Sequence, residues 1–104
     1  MRPVLHGDVS SAARVLRRVP PVRRAFLCRR MLAEAEAADR HVARHGRLHP
    51  RWGNGSLMSA ARKRPLAPEP TFDDPDYCAC FETVLACLRA LSQRRRRCSA
   101  SPPD

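Results

Sequence analysis

Three histidines, a Gly-Asn-Gly-Ser turn and a series of arginines are the parts of this sequence whose types and spacing could do chemistry. His41 and His45 lie one helical turn apart and His49 follows Gly46 in the adjoining loop, so three imidazoles could converge on a metal ion. The spacing permits such a site without specifying it. "HVARH" lacks the Glu that turns HExxH into a hydrolytic zinc motif. Cys78 and Cys80 would point about 200° apart on a helix and cannot ligate together. Cys80 and Cys87 share a face, but among Ala, Leu and Val a thiol behaves as a small core residue. Packing is therefore the first reading of these groups, and a metal site at His41, His45 and His49 the second.

The stretch "HPRWGNGSLMSA", residues 49–60, raises a different possibility. Gly53, Asn54, Gly55 and Ser56 would allow positive φ and leave free N–H groups at a helix start, a geometry that binds phosphate or carboxylate, with Arg51 and Lys63 to assist. The segment has neither the GxxxxGK[ST] spacing of a P-loop nor GxGxxG, and no βαβ unit surrounds it. The plainer reading is a turn: the glycines bend the chain, Ser56 or Asn54 caps the helix, and Trp52 pins the loop over the core.

Arg14, Arg17, Arg18, Arg23, Arg24, Arg29 and Arg30 gather on two consecutive segments, a basic elbow suited to phosphate contacts. It lacks a reader: no aromatic platform is interleaved, and "VPP" does not resemble the glycine-containing turn of a DNA-binding helix-turn-helix. A solvated arginine face, a nucleic-acid surface and a surface for an acidic protein all remain open. Catalysis has the least support. No Ser stands in a nucleophile elbow, no Cys has a His at a readable distance, and capping explains the acids of "FDDPDY". We read no enzyme and no cofactor motif.

The elements that must position these residues follow from periodicity and breakers. Val9, Ala12, Ala13, Leu16 and Val19 recur at helical spacing, with Asp8 as N-cap. Pro20 and Pro21 end that helix and start the next, from about Pro21 to His45, with Gly46 as its stop. Its apolar stripe is Phe26, Leu27, Met31, Ala35, Ala38 and Val42, and Arg30–Glu34 and Glu36–Arg40 are i, i+4 ion pairs. A short third helix spans Ser56 to about Lys63, ended by Pro65, and "PLAPEPTF" is an extended connector. A fourth opens with Asp73 as N-cap and a Phe72–Tyr77 hydrophobic staple. Tyr77, Phe81, Val84, Leu88 and Leu91 form its seam against the second helix.

At 104 residues the chain suits one modest core. The formal net charge is +10 and its distribution is segregated: residues 1–30 and 89–104 are arginine-rich, while residues 69–88 hold acids and no base. A GC-rich genome could also supply this arginine excess. No apolar stretch has the length of a signal peptide or a bilayer span, so a cytoplasmic location with reduced thiols is expected.

The ordered blocks "HGDVSSAARVL", "LHPRWGNGSLM" and "PTFDDPDYCACFETVL" resemble a family of short, uncharacterised helical proteins of rhodobacter-type alphaproteobacteria, grouped as a domain of unknown function, over about residues 3–92. The resemblance implies a bacterial origin and carries no activity, cofactor or partner. The expectation is an all-α bundle of three to four helices over residues 1–93. It includes a Trp/Gly loop and an antiparallel pairing of the second and fourth helices, followed by a disordered Arg-rich tail, 94–104. Function is expected to be binding of a protein partner or self-association, with Phe72, Trp52, the basic elbow and residual apolar surface near Cys80 or Leu85 as contact features. A nucleic-acid or ribosome-associated role is the alternative.

Overall fold

The computed structural model describes residues 1–99. Four helices, α1 (His6–Leu16), α2 (Pro21–His45), α3 (Leu57–Ala61) and α4 (Pro75–Ser99), build the fold, and no strand occurs among the described residues. α1 packs against each of the other three. That position buries Ser10 and Ser11 together with the expected Val9, Ala12, Ala13 and Leu16.

α1 begins three residues earlier than expected, which changes the role of Asp8. The N-cap is Leu5, whose side chain has no acceptor to offer, and Asp8 stands in the first turn. From there its Oδ2 reaches back to accept the Leu5 N–H at 2.8 Å. Its Oδ1 accepts the Met58 N–H of α3 at 2.9 Å. One nearly buried carboxylate thus satisfies orphan donors at the starts of two helices fifty residues apart.

α2 starts with Pro at its first position and ends at Gly46, whose φ of 66° is the left-handed stop that glycine adopts without steric cost. Its inward line is Arg24, Cys28, Met31, Ala35 and Ala38, spaced 4, 3, 4, 3, with Leu32 beside it. Met31, Ala35 and Ala38 of the expected stripe are buried, but Phe26 is 59 % exposed and faces away from the core. Arg24 takes the core-facing place in the first turn, where a search for apolar residues passes over it.

α4 is capped by Asp74, not Asp73. Asp74 Oδ1 accepts the N–H groups of Asp76 at 2.9 Å and Tyr77 at 3.2 Å. The Phe72–Tyr77 contact forms, with stacked rings 5.3 Å apart. Tyr77, Cys80, Val84 and Cys87 point inward, with Phe81, Leu88 and Leu91 packed at the margins. α4 continues to Ser99, past the residue at which the expected tail begins. Residues 100–104 of that tail lie outside the described residues.

α2 and α4 run in the same direction, contrary to the antiparallel expectation. Arg24 pairs with Asp76, Cys87 lies against Ala25, and Arg95 pairs with Glu36, so contacts advance together along both helices. The connector between α3 and α4 makes this possible. Arg14 Nε donates to Ala67 O at 2.8 Å and Ala67 N–H to Arg14 O at 3.1 Å, so the chain is led back along α1 to the start of α2.

Ion pairs fasten the junctions. Arg24 Nε donates to the carbonyls of Leu16, the last residue of α1, and of Val19 in the turn after it, and its Nη1 and Nη2 hold Asp76 at 2.8 and 3.2 Å. Arg17 joins Asp74 at 3.0 Å and Asp76 at 3.5 Å. Glu34, buried in α2, receives both Nη groups of Arg64 at 2.7 Å and Arg30 at 3.6 Å. Asp76 is held below the ordinary carboxylate range, first by the Arg24 hydrogen bond, with Arg17 adding to it and desolvation opposing. Its lowered folded value means that this contribution is complete above the unfolded value of about 3.9 and disappears as pH falls through the folded one. Urea melts across the acid range are expected to show a stability loss beginning near that value. Asp76→Asn should flatten it, and an unchanged acid limb in Asp76→Asn would refute the assignment.

Candidate functional site

The Gly53–Ser56 turn is built for its own fold. Gly53 and Gly55 take φ values of 80° and 93°, and His49 and Gly53 exchange backbone hydrogen bonds at 2.8 and 3.1 Å across the loop. Three of the donors around the start of α3 already have acceptors. Ser56 N–H donates to Asn54 Oδ1 at 2.9 Å, Met58 N–H to Asp8, and Ser59 N–H to Ser56 Oγ at 3.1 Å. The anion expected at this helix start is the chain's own Asp8 carboxylate. Arg51 and Lys63 are exposed. Trp52 is half-buried and outside the core cluster; it stacks on His49 with centroids 4.6 Å apart and planes 10° apart.

The basic elbow does not form one seven-arginine face. Arg14, Arg17 and Arg24 are engaged in the contacts above, whereas Arg18, Arg23, Arg29 and Arg30 are exposed. Arg29 borders an open groove of about 540 Å³ between α2 and α4. Its floor is Ala25, Ala86, Cys87 and Ala90, and its rim Arg29, Thr83, Gln93, Arg94 and Arg97. On α2 the same exposed side continues through Val22 (90 % exposed) and Phe26. Sequence reasoning missed this groove. Its signal was present in Ala86, Ala90 and Gln93, which recur at helical spacing off the apolar seam, but only the parallel pairing sets them opposite Ala25 and Arg29.

Among the expected apolar contact features, Phe72 and Leu85 are exposed, whereas Cys80 is fully buried. Cys28, Cys78, Cys80 and Cys87 are free thiols. Burial pushes the Cys28 and Cys80 thiols up, and the neighbouring Cys87 adds to the effect at Cys28. Thiolate formation, which nucleophilic cysteine chemistry needs, is thereby suppressed at both.

The three histidines do come together. Ring centroids are 4.5 Å apart for His41 and His45 and 5.0 Å for His41 and His49. His49 Nδ1 accepts the N–H groups of Arg51 at 3.0 Å and Trp52 at 3.2 Å, which takes that nitrogen out of ligation. Among the described residues no group of three or more His, Cys, Asp or Glu side chains is placed to hold a metal ion. The His41 pKa is lowered by desolvation and then by His45 and His49. Arg40 and Arg44 complete the surroundings of the cluster, and the sequence reading overlooked both. Their position one residue before each helical histidine was the available sign.

The family model that matches this chain, over residues 2–88, is described as a domain of unknown function, DUF7742. No curated protein and no solved structure matches it. No helix among the described residues is long and apolar enough to cross a membrane.

Proposed function

The chain belongs to the DUF7742 family, and from its own surface we propose a helical binding module that receives an acidic, amphipathic helix of a partner protein between α2 and α4. The carrying observation is the groove itself, an apolar floor of small side chains between arginines on both helices. Small floor residues let a third helix approach closely, and an apolar stripe flanked by Asp or Glu would meet both floor and rim. The rim arginines have no carboxylate partner among the described residues, while Asp8, Glu34, Asp74 and Asp76 are engaged elsewhere. Charge favours a different protein over a second copy, because two copies would set like rims against each other. The module acts in the bacterial cytoplasm, without catalysis or cofactor of its own. Nucleic acid is the competing occupant, but the groove lining contains no aromatic ring on which a base could stack.

Ala90→Trp fills the groove from an exposed helix position, and Arg29→Glu with Arg94→Glu reverses its rim. A photocrosslinker at Ala86 of the full chain is expected to capture a defined protein through an acidic helix. Either variant should reduce capture by roughly tenfold or more, the equivalent of about 1.4 kcal/mol. Nucleic acid recovered at low salt, lost at high salt and indifferent to Ala90→Trp would overturn this reading in favour of a phosphate-binding surface.

A further inference from the structure

The groove leaves the far end of α2 without a role, and there the helix and the following loop border a second, open and polar pocket of about 210 Å³. It is lined by Ala37, Arg40, His41, Arg44, His45 and His49. Every lining residue except Ala37 carries positive charge or can acquire it, and among the described residues no carboxylate lines the pocket. We propose that it is an oxyanion site that holds a phosphate group, free or carried on a small molecule.

The geometry favours an anion over a metal. His49 is braced by Trp52, and its Nδ1 accepts two backbone N–H groups, so in the neutral ring the proton resides on Nε2. That leaves the opposite ring edge as a donor. Arg40 and Arg44 repel a divalent cation and attract an oxyanion, to which guanidinium groups donate paired hydrogen bonds. The nearby acids of α2 are engaged: Glu36 pairs with Arg95 of α4, and Asp39 with the Met1 amino group at 2.9 Å. Neither Arg40 nor Arg44 has an ion-pair partner among the described residues. The negative end of the α2 dipole opposes an anion here, but it is a partial charge facing two full ones.

The crowding of three imidazoles gives the site a pH dependence. Burial and the two neighbouring rings make His41 harder to protonate when the pocket is empty. A bound anion offsets that repulsion and raises the His41 pKa, so binding takes up a proton and is tighter on the acid side. A rise of one unit corresponds to about tenfold in affinity between pH values above and below the two pKa values.

Sulfate is the first probe, because its charge is constant through the range in which histidine titrates. Binding to the full chain is followed by calorimetry and by the His41 imidazole resonances. Sulfate is expected to shift those resonances, raise the midpoint of their pH titration and bind roughly tenfold more weakly near pH 8 than near pH 5.5. Arg44→Ala and His45→Gln alter exposed residues and should each weaken binding several-fold while leaving the unfolding midpoint unchanged. Inorganic phosphate and glycerol 2-phosphate then separate a free from a carried phosphate by which binds more tightly. Sulfate binding that ignores pH and both variants would overturn the proposal, as would stoichiometric zinc binding through His41 and His45 without any response to sulfate or phosphate.

Discussion

Replacing Asp8 with alanine is expected to lower the unfolding free energy by about 3 kcal/mol. Asp8 is 5 % exposed and its carboxylate accepts from Leu5 and Met58, so its removal deprives two partly buried main-chain donors of their acceptor. Charge-assisted hydrogen bonds of this kind exceed neutral ones, and the abandoned N–H groups add their own desolvation cost. In a domain of this size the loss corresponds to a drop in Tm of roughly 12–24 °C. Asp8→Asn should fall between wild type and alanine, because the amide offers one acceptor and turns its NH2 toward another donor. Hydrogen exchange provides the local reading: the Met58 amide should lose protection in Asp8→Ala well beyond the global change. A loss under about 1 kcal/mol would mean that water reaches both donors and that Asp8 is not the link between the two helix starts.

Asp8 also shows why some of this fold was legible in the sequence and some was not. The features that stand out along the chain are local and obey short-range rules. Pro20 and Pro21 cannot continue a helix, Gly46 can stop one, and these fix α2 to the residues observed. The periodicity of Tyr77, Val84 and Leu88 likewise fixes the existence of α4. What fails is everything that depends on a partner elsewhere in the chain. An acid before an apolar run suggests an N-cap, and nothing near Asp8 reveals that Met58 will lie beside its second oxygen. The same limit misplaced Phe26. An aromatic ring at helical spacing suggests the inward face of α2, but the inward position in the first turn belongs to Arg24, whose acceptors are on α1, the following turn and α4.

The candidate sites divide along the same line. An arginine count along α1 and α2 suggests a cationic face, yet topology directs Arg14, Arg17 and Arg24 into carbonyls and carboxylates and leaves Arg29 and its neighbours outside. Both the groove and the histidine pocket are consequences of long-range assembly. The groove needs the parallel placement of α4, and the pocket needs the loop after Gly46 to turn back on α2.

That return is where the second large effect is expected. Gly55 has a φ of 93°, and a Cβ built on it would stand 2.7 Å from the Cα of Asp39, a backbone atom that cannot swing aside. Gly46 has a comparable left-handed φ of 66° but open space around the same position. Comparison of the two alanine variants separates backbone strain from collision. Gly46→Ala should cost about 1 kcal/mol, the penalty of the left-handed conformation alone. Gly55→Ala adds the forced separation of loop and helix and should cost about 3 kcal/mol or more. Urea unfolding of the pair measures the difference directly, and equal losses would show that the loop gives way without resistance. The consequence reaches beyond stability, because Asp39 lies two residues before His41 and the loop that Gly55 seats carries His49. A Cβ that lifts the loop from α2 also draws His49 away from His41, so folded Gly55→Ala protein should bind sulfate more weakly than Gly46→Ala protein under the same conditions.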